Sequence, residues 1–535
     1  MNREQKVKLR SELFRHLDGI VTIPTAYILS EKGILDFILT QGSTTLAEIS
    51  SKYQANEGYL NVALRVLAAQ GWLTHTTDGD IVTIAVNEKS SYAFSLIPLF
   101  EEAAELINIS GHFHPRKFEE EPFNYLLRLF NNYQKRYDLE ASSDPVKLEI
   151  QNQILRHIEG IIVGPSVVSL GMGGMFHKYF MKASFRPDEF HNNGKDFGQL
   201  LDIFAALGWF DKKSDTYSFT EKGLFFARRA SAYGVTVSYI PAFRKLNELL
   251  FGDPTIFWNL PKGAKEIHVD REMNVWGSGG AHSTYFKKID EIVIDVFNKP
   301  IEEQPKGIVD MGCGNGAFLI HLFDVIENRT LRGQMLEEHP LFLVGADYNK
   351  AALDVTRSNI VMANIWAKVI WGDIGRPDLL ADNLKENYGI HLSELLNVRT
   401  FLDHNRIWSD PIDENESWQK HSTGAFAFRG KRLSNSLVAA NLKEHFMKWA
   451  PYVKKFGLLV IELHTIDSNI TSQNLGKTAA TAYDATHGFS DQYILEIDVF
   501  NEAASKAGLF PVQEHFTKFP DSDLATVSIN LLKAK

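Results

Sequence analysis

The chain has 535 residues, 44% of them apolar and 23% charged, which excludes wholesale disorder, collagen-like repeats and a coiled-coil rod. Lysine plus arginine (56) against aspartate plus glutamate (66) leaves a net charge of −10, the wrong sign for a protein that works by neutralising many phosphates. At about 150 residues per domain, the length implies roughly three or four domains. Cys313 is the only cysteine, so no intrachain disulfide forms and no oxidising compartment is required. The N-terminus, MNREQKVKLRSELFRHL, is charged and amphipathic and lacks the apolar core of a signal peptide. No window of about 18 residues is continuously apolar. The expectation is a soluble, cytoplasmic protein with neither a membrane nor a nucleic acid as partner.

The N-terminal half contains a repeat. RHLDGI (Arg15 to Ile20) returns as RHIEGI (Arg156 to Ile161), each followed by a proline, Pro24 and Pro165. ALRVLAAQGWL, ending at Leu73, returns as LLDIFAALGWF, ending at Phe210. In the first copy Leu64, Leu67 and Ala68 form an apolar helix face. Gly71 stops the helix, Trp72-Leu73 opens a strand, and a turn at Thr77-Asp78-Gly79 leads to a return strand at Ile81 to Ile84. The second copy repeats this with Gly208, Trp209-Phe210, a turn at Ser214-Asp215 and a strand at Tyr217 to Phe219. Helices followed by a small hairpin are a winged-helix pattern. DNA binding through the second helix is one reading. Those helices carry mainly Ala, Leu, Val and Phe, with only Arg65 and Asp202 charged at their centres, so scaffold or dimerisation is the better one. Residues 96–150 read as a helical connector.

From about residue 270 strands and helices alternate. Gly307 to Asp310 is a short strand, Met311 to Gly316 a glycine-rich turn, and Ala317 to Val325 a helix. That arrangement binds a nucleotide-like ligand at a strand end. Gly312, Gly314 and Gly316 allow positive φ and close approach, and the helix N-terminus offers N–H groups to an anion. The order DxGxGxG, with Asp310 at the strand end, favours S-adenosylmethionine over a dinucleotide, because a carboxylate suits an ammonium and a sulfonium. The next strand, Leu341 to Ala346, ends in Asp347, placed for the ribose hydroxyls. A third, Lys368 to Trp371, leads to Asp373 and Ile374, placed for the adenine amino group. Ahead of them lies NVWGSGGAHSTYF (Asn274 to Phe286). Its glycines can cover the methionine end of the cofactor, and Tyr285 can reach its carboxylate or sulfonium; the alternative is a linker with a helix cap at Ser283.

Asp310 to Gly316, Asp347 and Asp373 resemble the motifs of class I S-adenosylmethionine-dependent methyltransferases. The resemblance covers about 270–535 and implies a seven-stranded, mostly parallel sheet whose antiparallel last strand is Ala525 to Leu532, paired after Phe510 to Thr517. The expected fold class is therefore α/β: a Rossmann-like methyltransferase domain at 270–535, behind a mainly helical region of two winged-helix-like repeats at 1–95 and 151–265 joined by the connector. Small-molecule O-methyltransferases also resemble this plan, though they usually carry one such module. The substrate belongs beyond the strand ends, near Arg399 to Arg406 (with FLDHNR) after a fourth strand near Ile390 to Val398, Ile461 to His464 (IELH), and Thr486 to Tyr493 (with HGFSDQY). Ser409 to Lys431 reads as a lid or a surface insertion, within an insertion at about 403–435.

His464, at a strand mouth, can be a general base, a neutral metal ligand, or a core histidine satisfied by a backbone carbonyl. Methyl transfer to oxygen needs only proton removal. Transfer to the carbon between two carbonyls needs a stabilised enolate, which a divalent metal such as iron or manganese can supply. FLDHNR, IELH and HGFSDQY together resemble the metal-dependent C-methyltransferases of polyketide synthase loading modules, of apratoxin type. That resemblance implies methylation of malonyl or methylmalonyl units on an acyl carrier protein, with His464 and Gln492 at metal-ligand positions. His404, His487 and Asp403 are further candidate ligands or bases, or else polar loop residues. Arg399, Arg406, Arg429, Lys431 and Arg432 form a candidate docking cluster for the acidic carrier. The alternative function is a metal-free O-methyltransferase of a small natural product with a histidine base.

Overall fold

The computed structural model describes residues 1–109, 113–114, 117–118, 120–261, 264–414 and 416–535. Two units divide the chain. The first takes Met1–His282 with Ala425–Arg432 and Asp467–Asp491; the second takes Ser283–Gly424, Leu433–Ile466 and Gln492–Lys535. The division thus differs from the compositional boundary near residue 270, because two stretches of the C-terminal half fold with the N-terminal unit.

The repeat explains the packing of the first unit. Arg15 to Ile20 lies in α1 (Arg3–Glu31), and Arg156 to Ile161 lies in α3 (Pro145–Met172). The helices meet at the two glycines of the repeat. A Cβ on Gly19 would stand 2.4 Å from the Cα of His157, and one on Gly160 would stand 2.4 Å from the carbonyl oxygen of His16. Backbone cannot yield as a flexible side chain does, so these positions demand glycine. Gly19→Ala is expected to force the helices apart and destabilise the unit by about 1–3 kcal/mol, read as a lower urea midpoint. Among the described residues, α3 is long and apolar enough to cross a membrane, yet 89% of its apolar window is buried within the fold, as in a core helix.

The second elements of the repeat are packing elements too. In α2 (Glu57–Ala69) every residue from Gly58 to Ala69 is buried, and Arg65 pairs with Asp484 at 3.0 Å, so this helix is covered and presents no face to a groove. In α4 (Gly194–Ala206) Phe197, Leu200, Leu201, Ile203 and Phe204 are buried. Each helix ends at a left-handed glycine, Gly71 (φ 78°) and Gly208 (φ 80°). Hairpins follow, Thr74–Asp78 with Ile81–Ala85 and Phe210–Lys213 with Thr216–Phe219. Trp72 and Leu73 lie in the core ahead of the first hairpin, not within its strand. The connector holds helices Glu101–Ile109 and Glu120–Gln134.

The second unit is built on a mixed eight-stranded sheet. Its strands are β1 (Gly307–Met311), β2 (Phe342–Asp347), β3 (Ala367–Trp371), β4 (Leu395–Thr400), β5 (Leu458–Leu463), β6 (Phe510–Pro511), β7 (Thr517–Phe519) and β8 (Val527–Lys533). The order is β3-β2-β1-β4-β5-β8-β6, with β7 also on β8. The first five strands are parallel and β8 is antiparallel to β5. The sheet has eight strands where seven were expected, because a 3-10 turn at Gln513–His515 splits Phe510 to Phe519 into two short strands. Strand β4 also begins later than expected. Every residue of β1 and β5 is buried, as parallel strands covered on both faces require. Strand order reverses between β1 and β4, the switch point at which α/β sheets open a crevice.

Candidate active site

The glycine turn sits at the crevice. It enters α6 (Ala317–Arg329) through Gly312 (φ 80°), Gly314 (φ 56°) and Gly316 (φ 79°). A Cβ on Gly312 would strike the Leu402 side chain at 2.8 Å, whereas one on Gly314 would meet nothing within 4 Å. Gly314 therefore lines open space while its N–H donates to Asp347 Oδ2 (3.0 Å) and its carbonyl accepts from Thr356 Oγ1 (2.7 Å). Cys313 packs behind the turn, and burial pushes its thiol up to about 12, so it is a packing residue and not a nucleophile.

The three acids stand at consecutive strand ends. Asp310 is buried, with Oδ1 lacking any hydrogen-bond partner. Burial and then the charge of Asp347 push its carboxyl up to about 8. A buried carboxylate beside another and short of donors is matched to a cation. Asp347, half-buried, accepts from Asn349 N–H as well as from Gly314. Asp373 caps its own turn through Gly375 N–H at 2.8 Å, and the carbonyl of buried Ile374 accepts the Trp449 indole N–H at 2.8 Å. The orphaned oxygen of Asp310 and the cradle at Gly314 fit the ammonium, sulfonium and carboxylate of S-adenosylmethionine.

The predicted glycine-rich cover at Asn274 to Phe286 is corrected: these residues lie within one helix, α5 (Arg271–Phe297). Gly277 serves close packing in the first unit, where a Cβ would stand 2.5 Å from the Val235 nitrogen. The cap suggested at Ser283 falls outside the described side chains. Tyr285 is half-buried, its ring 6.0 Å from Phe401 and 5.1 Å from Phe519. Phe401, at the tip of β4, is a non-glycine residue at φ 53°, a strained geometry of the kind that gathers at functional sites. Phe401 opens the FLDHNR segment, but nothing in that motif signals its positive φ.

His464 does not face the crevice as a base or ligand. It is wholly buried; Nδ1 is 2.9 Å from the Leu495 carbonyl and Nε2 is 2.7 Å from Ser528 Oγ. Both ring nitrogens are thus committed, and burial holds the imidazole down at about 4, neutral at working pH. Gln492 is also buried. Among the described residues no group of three His, Cys, Asp or Glu side chains could hold a metal ion. The donor set does not fit iron or manganese at His464 and Gln492. His487 belongs to the first unit, on helix Ala480–Gly488, with Nδ1 at 2.8 Å from the Tyr483 carbonyl.

His404 stands differently. It lies in the 3-10 turn Asp403–Asn405 beyond β4, with Nδ1 2.5 Å from Glu462 Oε1 on β5. Its main-chain N–H donates to the other oxygen of Glu462 at 3.3 Å. Glu462 was the missed partner. Its signal was a single carboxylate inside the otherwise apolar LLVIEL, since a buried charge requires a partner.

The lid reading is corrected as well. Asp403 to Gly424 belongs to the second unit, and its later part is a strap pinned by carboxylates. Glu444 accepts the N–H groups of Ile412 and Asp413, Glu502 those of Gln419 and Lys420, and Glu496 that of Thr423. The hairpin Phe426–Phe428 with Lys431–Leu433 lies largely in the first unit. Of the candidate docking cluster, only Lys431 is exposed. Arg399 and Arg406 are buried, Arg429 pairs with Asp491 at 2.7 Å, and Arg432 pairs with Glu57 at 3.0 Å.

A mixed sheet of five parallel strands and an antiparallel edge, with a glycine turn, three acids at successive strand tips and a switch-point crevice, defines an S-adenosylmethionine-dependent class I methyltransferase. Three family models match the chain in order: an AprA N-terminal domain at 9–75, an AprA winged helix domain at 159–253 and an AprA MT2-like domain at 266–530. The chain belongs to the AprA-type methyltransferases. No curated protein matches it. Solved structures similar to it include the mitomycin 7-O-methyltransferase MmcR, at 12% identity and TM-score 0.41 over 72% of this chain and 97% of that one. The carbon methyltransferase CurJ is similar at 12% and 0.33 over 83% and 99%. Human N-acetylserotonin methyltransferase, in complex with S-adenosylmethionine, is similar at 11% and 0.40 over 74% and 100%.

Proposed function

We propose that this methyltransferase transfers a methyl group to C-2 of a malonyl or methylmalonyl thioester carried on an acyl carrier protein, in polyketide biosynthesis. The family supports the methyl transfer, and the His404–Glu462 pair at the tips of β4 and β5 is the observation that carries the rest. Methylation at C-2 requires removal of a proton between two carbonyls, and a positioned imidazole is suited to it. Iron or manganese has no part in this proposal, because His464 offers no donor atom.

Asp310 would face the cationic end of S-adenosylmethionine, Asp347 its ribose and Asp373 with Ile374 its adenine. Bound there, S-adenosylmethionine supplies an electrophilic methyl group on sulfur. With the Nδ1 proton donated to Glu462, Nε2 is the basic nitrogen of His404 and takes the C-2 proton. Glu462 then faces the imidazolium and stabilises it, as a carboxylate behind a catalytic histidine does. The chain's residues bind, orient and move one proton; the C-2 electron pair would attack the methyl carbon as the methyl–sulfur bond breaks, its electrons returning to sulfur to leave the neutral thioether.

The test is incubation of the full chain with S-adenosylmethionine and malonyl- or methylmalonyl-carrier, followed by mass spectrometry and NMR of the released acid. A new methyl on C-2, formed equally well with a chelator present, is the expected result. Failure of both carrier substrates, with methylation of a small phenol or hydroxyl instead, would establish the O-methyltransferase alternative. Activity abolished by the chelator and restored by iron or manganese would return the metal to the mechanism.

A further inference from the structure

The turn that carries His404 is clamped within the second unit by buried charged groups. Asp403 is wholly buried; its Oδ1 accepts from His445 Nε2 at 2.9 Å, and its Oδ2 lies 3.3 Å from Nε of Arg399 on β4. The main-chain carbonyl of Asp403 accepts from Arg406 Nη1 at 2.9 Å. Arg406 in turn donates to Asn441 Oδ1 and the Val438 carbonyl, both on α7 (Asn435–Val453). The Arg399 guanidinium lies 4.5 Å over the Trp449 ring, and Trp449 donates to the Ile374 carbonyl beside Asp373.

Burying an aspartate, two arginines and a histidine behind one short turn is an expensive way to fill space. Apolar residues would hold the sheet at least as well, since buried ion pairs seldom add net stability. Hydrogen bonds on one carboxylate oxygen and on the carbonyl of one residue, with an ion pair on its other oxygen, fix instead the orientation of the next residue in the chain. The geometry points to Asp403, held between Arg399 and His445, as the positioning residue that aims His404 at Glu462. The kinetic part of this inference rests on His404 acting as the base; the orientation itself does not.

Replacing Asp403 would leave Arg399 buried and alone, so His445 is the residue to change. In the full-length protein, the proton shared by His404 Nδ1 and Glu462 is expected as a downfield proton resonance that His404→Gln removes. His445→Ala is expected to shift or broaden that resonance and to lower kcat about tenfold, with KM for S-adenosylmethionine unchanged. His445→Gln, whose amide can still donate to Asp403, is expected to restore both. A resonance unaltered in His445→Ala, or a loss that His445→Gln does not repair, overturns the assignment. Should His445→Ala not fold, Asn441→Ala, which releases Arg406 from the other side of the turn, is judged by the same resonance. The methylation reading fails separately: the wild-type chain would then leave carrier-bound malonyl and methylmalonyl unmodified while the resonance still responded to residue 445.

Discussion

Asp310→Asn is expected to weaken S-adenosylmethionine binding by at least about a hundredfold and, at alkaline pH, to raise the melting temperature of the ligand-free protein. The two effects have one source. Asp310 is buried at the end of β1 with an oxygen that no donor reaches, and burial plus the charge of Asp347 push its carboxyl up to about 8. A cation arriving in the crevice favours the ionised form, so below pH 8 binding must expel a proton. Affinity should therefore fall by up to about tenfold per pH unit as the pH drops below 8. Calorimetry in buffers of different ionisation heat should register close to one proton released at neutral pH. Removing one partner of a buried charge pair costs about 3 kcal/mol or more, hence the hundredfold loss.

The stability sign follows from the same shift. The carboxyl titrates higher in the folded chain than at its ordinary value of 3.8. Its contribution is fully present below about pH 4 and is lost as the pH rises through 8, where the fold must hold an unsolvated charge. The amide carries no such charge, so the variant should melt higher than wild type at pH 9, with the gap closing toward pH 5. If the variant binds S-adenosylmethionine as well as the wild type does, Asp310 does not face the cation.

What could be read from the residues themselves divides along a physical line. The glycine turn, Asp347 and Asp373 are local patterns: each is a strand followed within a few residues by the group that its end presents, and each stands where the sequence puts it. The repeated glycines were also visible, although not that Gly19 and Gly160 would admit one another's helix. His464 shows the limit. A histidine closing an apolar strand looks the same whether its nitrogens are open or committed, and the two groups that commit them, Leu495 and Ser528, lie 31 and 64 residues away. The His404–Glu462 pairing spans 58 residues, so it too depended on the register of β4 against β5. For the same reason Ala425–Arg432 and Asp467–Asp491 could not be assigned to the first unit from composition. Their partners, such as Glu57 for Arg432 and Tyr59 for Asp491, are several hundred residues distant.

His404→Ala is expected to lower kcat for carrier-bound methylmalonyl by about 10²- to 10⁴-fold, the usual worth of a positioned general base, while leaving S-adenosylmethionine affinity within about twofold. The separation is expected because His404 sits beyond β4 and is held by Glu462 on β5, whereas the cofactor acids end β1, β2 and the turn after β3. Glu462→Gln should act in the same direction but less severely. Its amide can still accept from His404 Nδ1, but it brings no negative charge to face the imidazolium. A second measurement isolates the proton step from methyl transfer. With a non-reactive analogue of S-adenosylmethionine in place, the wild-type chain in deuterated water should exchange the C-2 proton of carrier-bound methylmalonyl, and His404→Ala should not. Exchange that persists in the variant at the wild-type rate would assign the proton to another group. The pair beyond β4 and β5 would then be a structural contact, like the one that already accounts for His464.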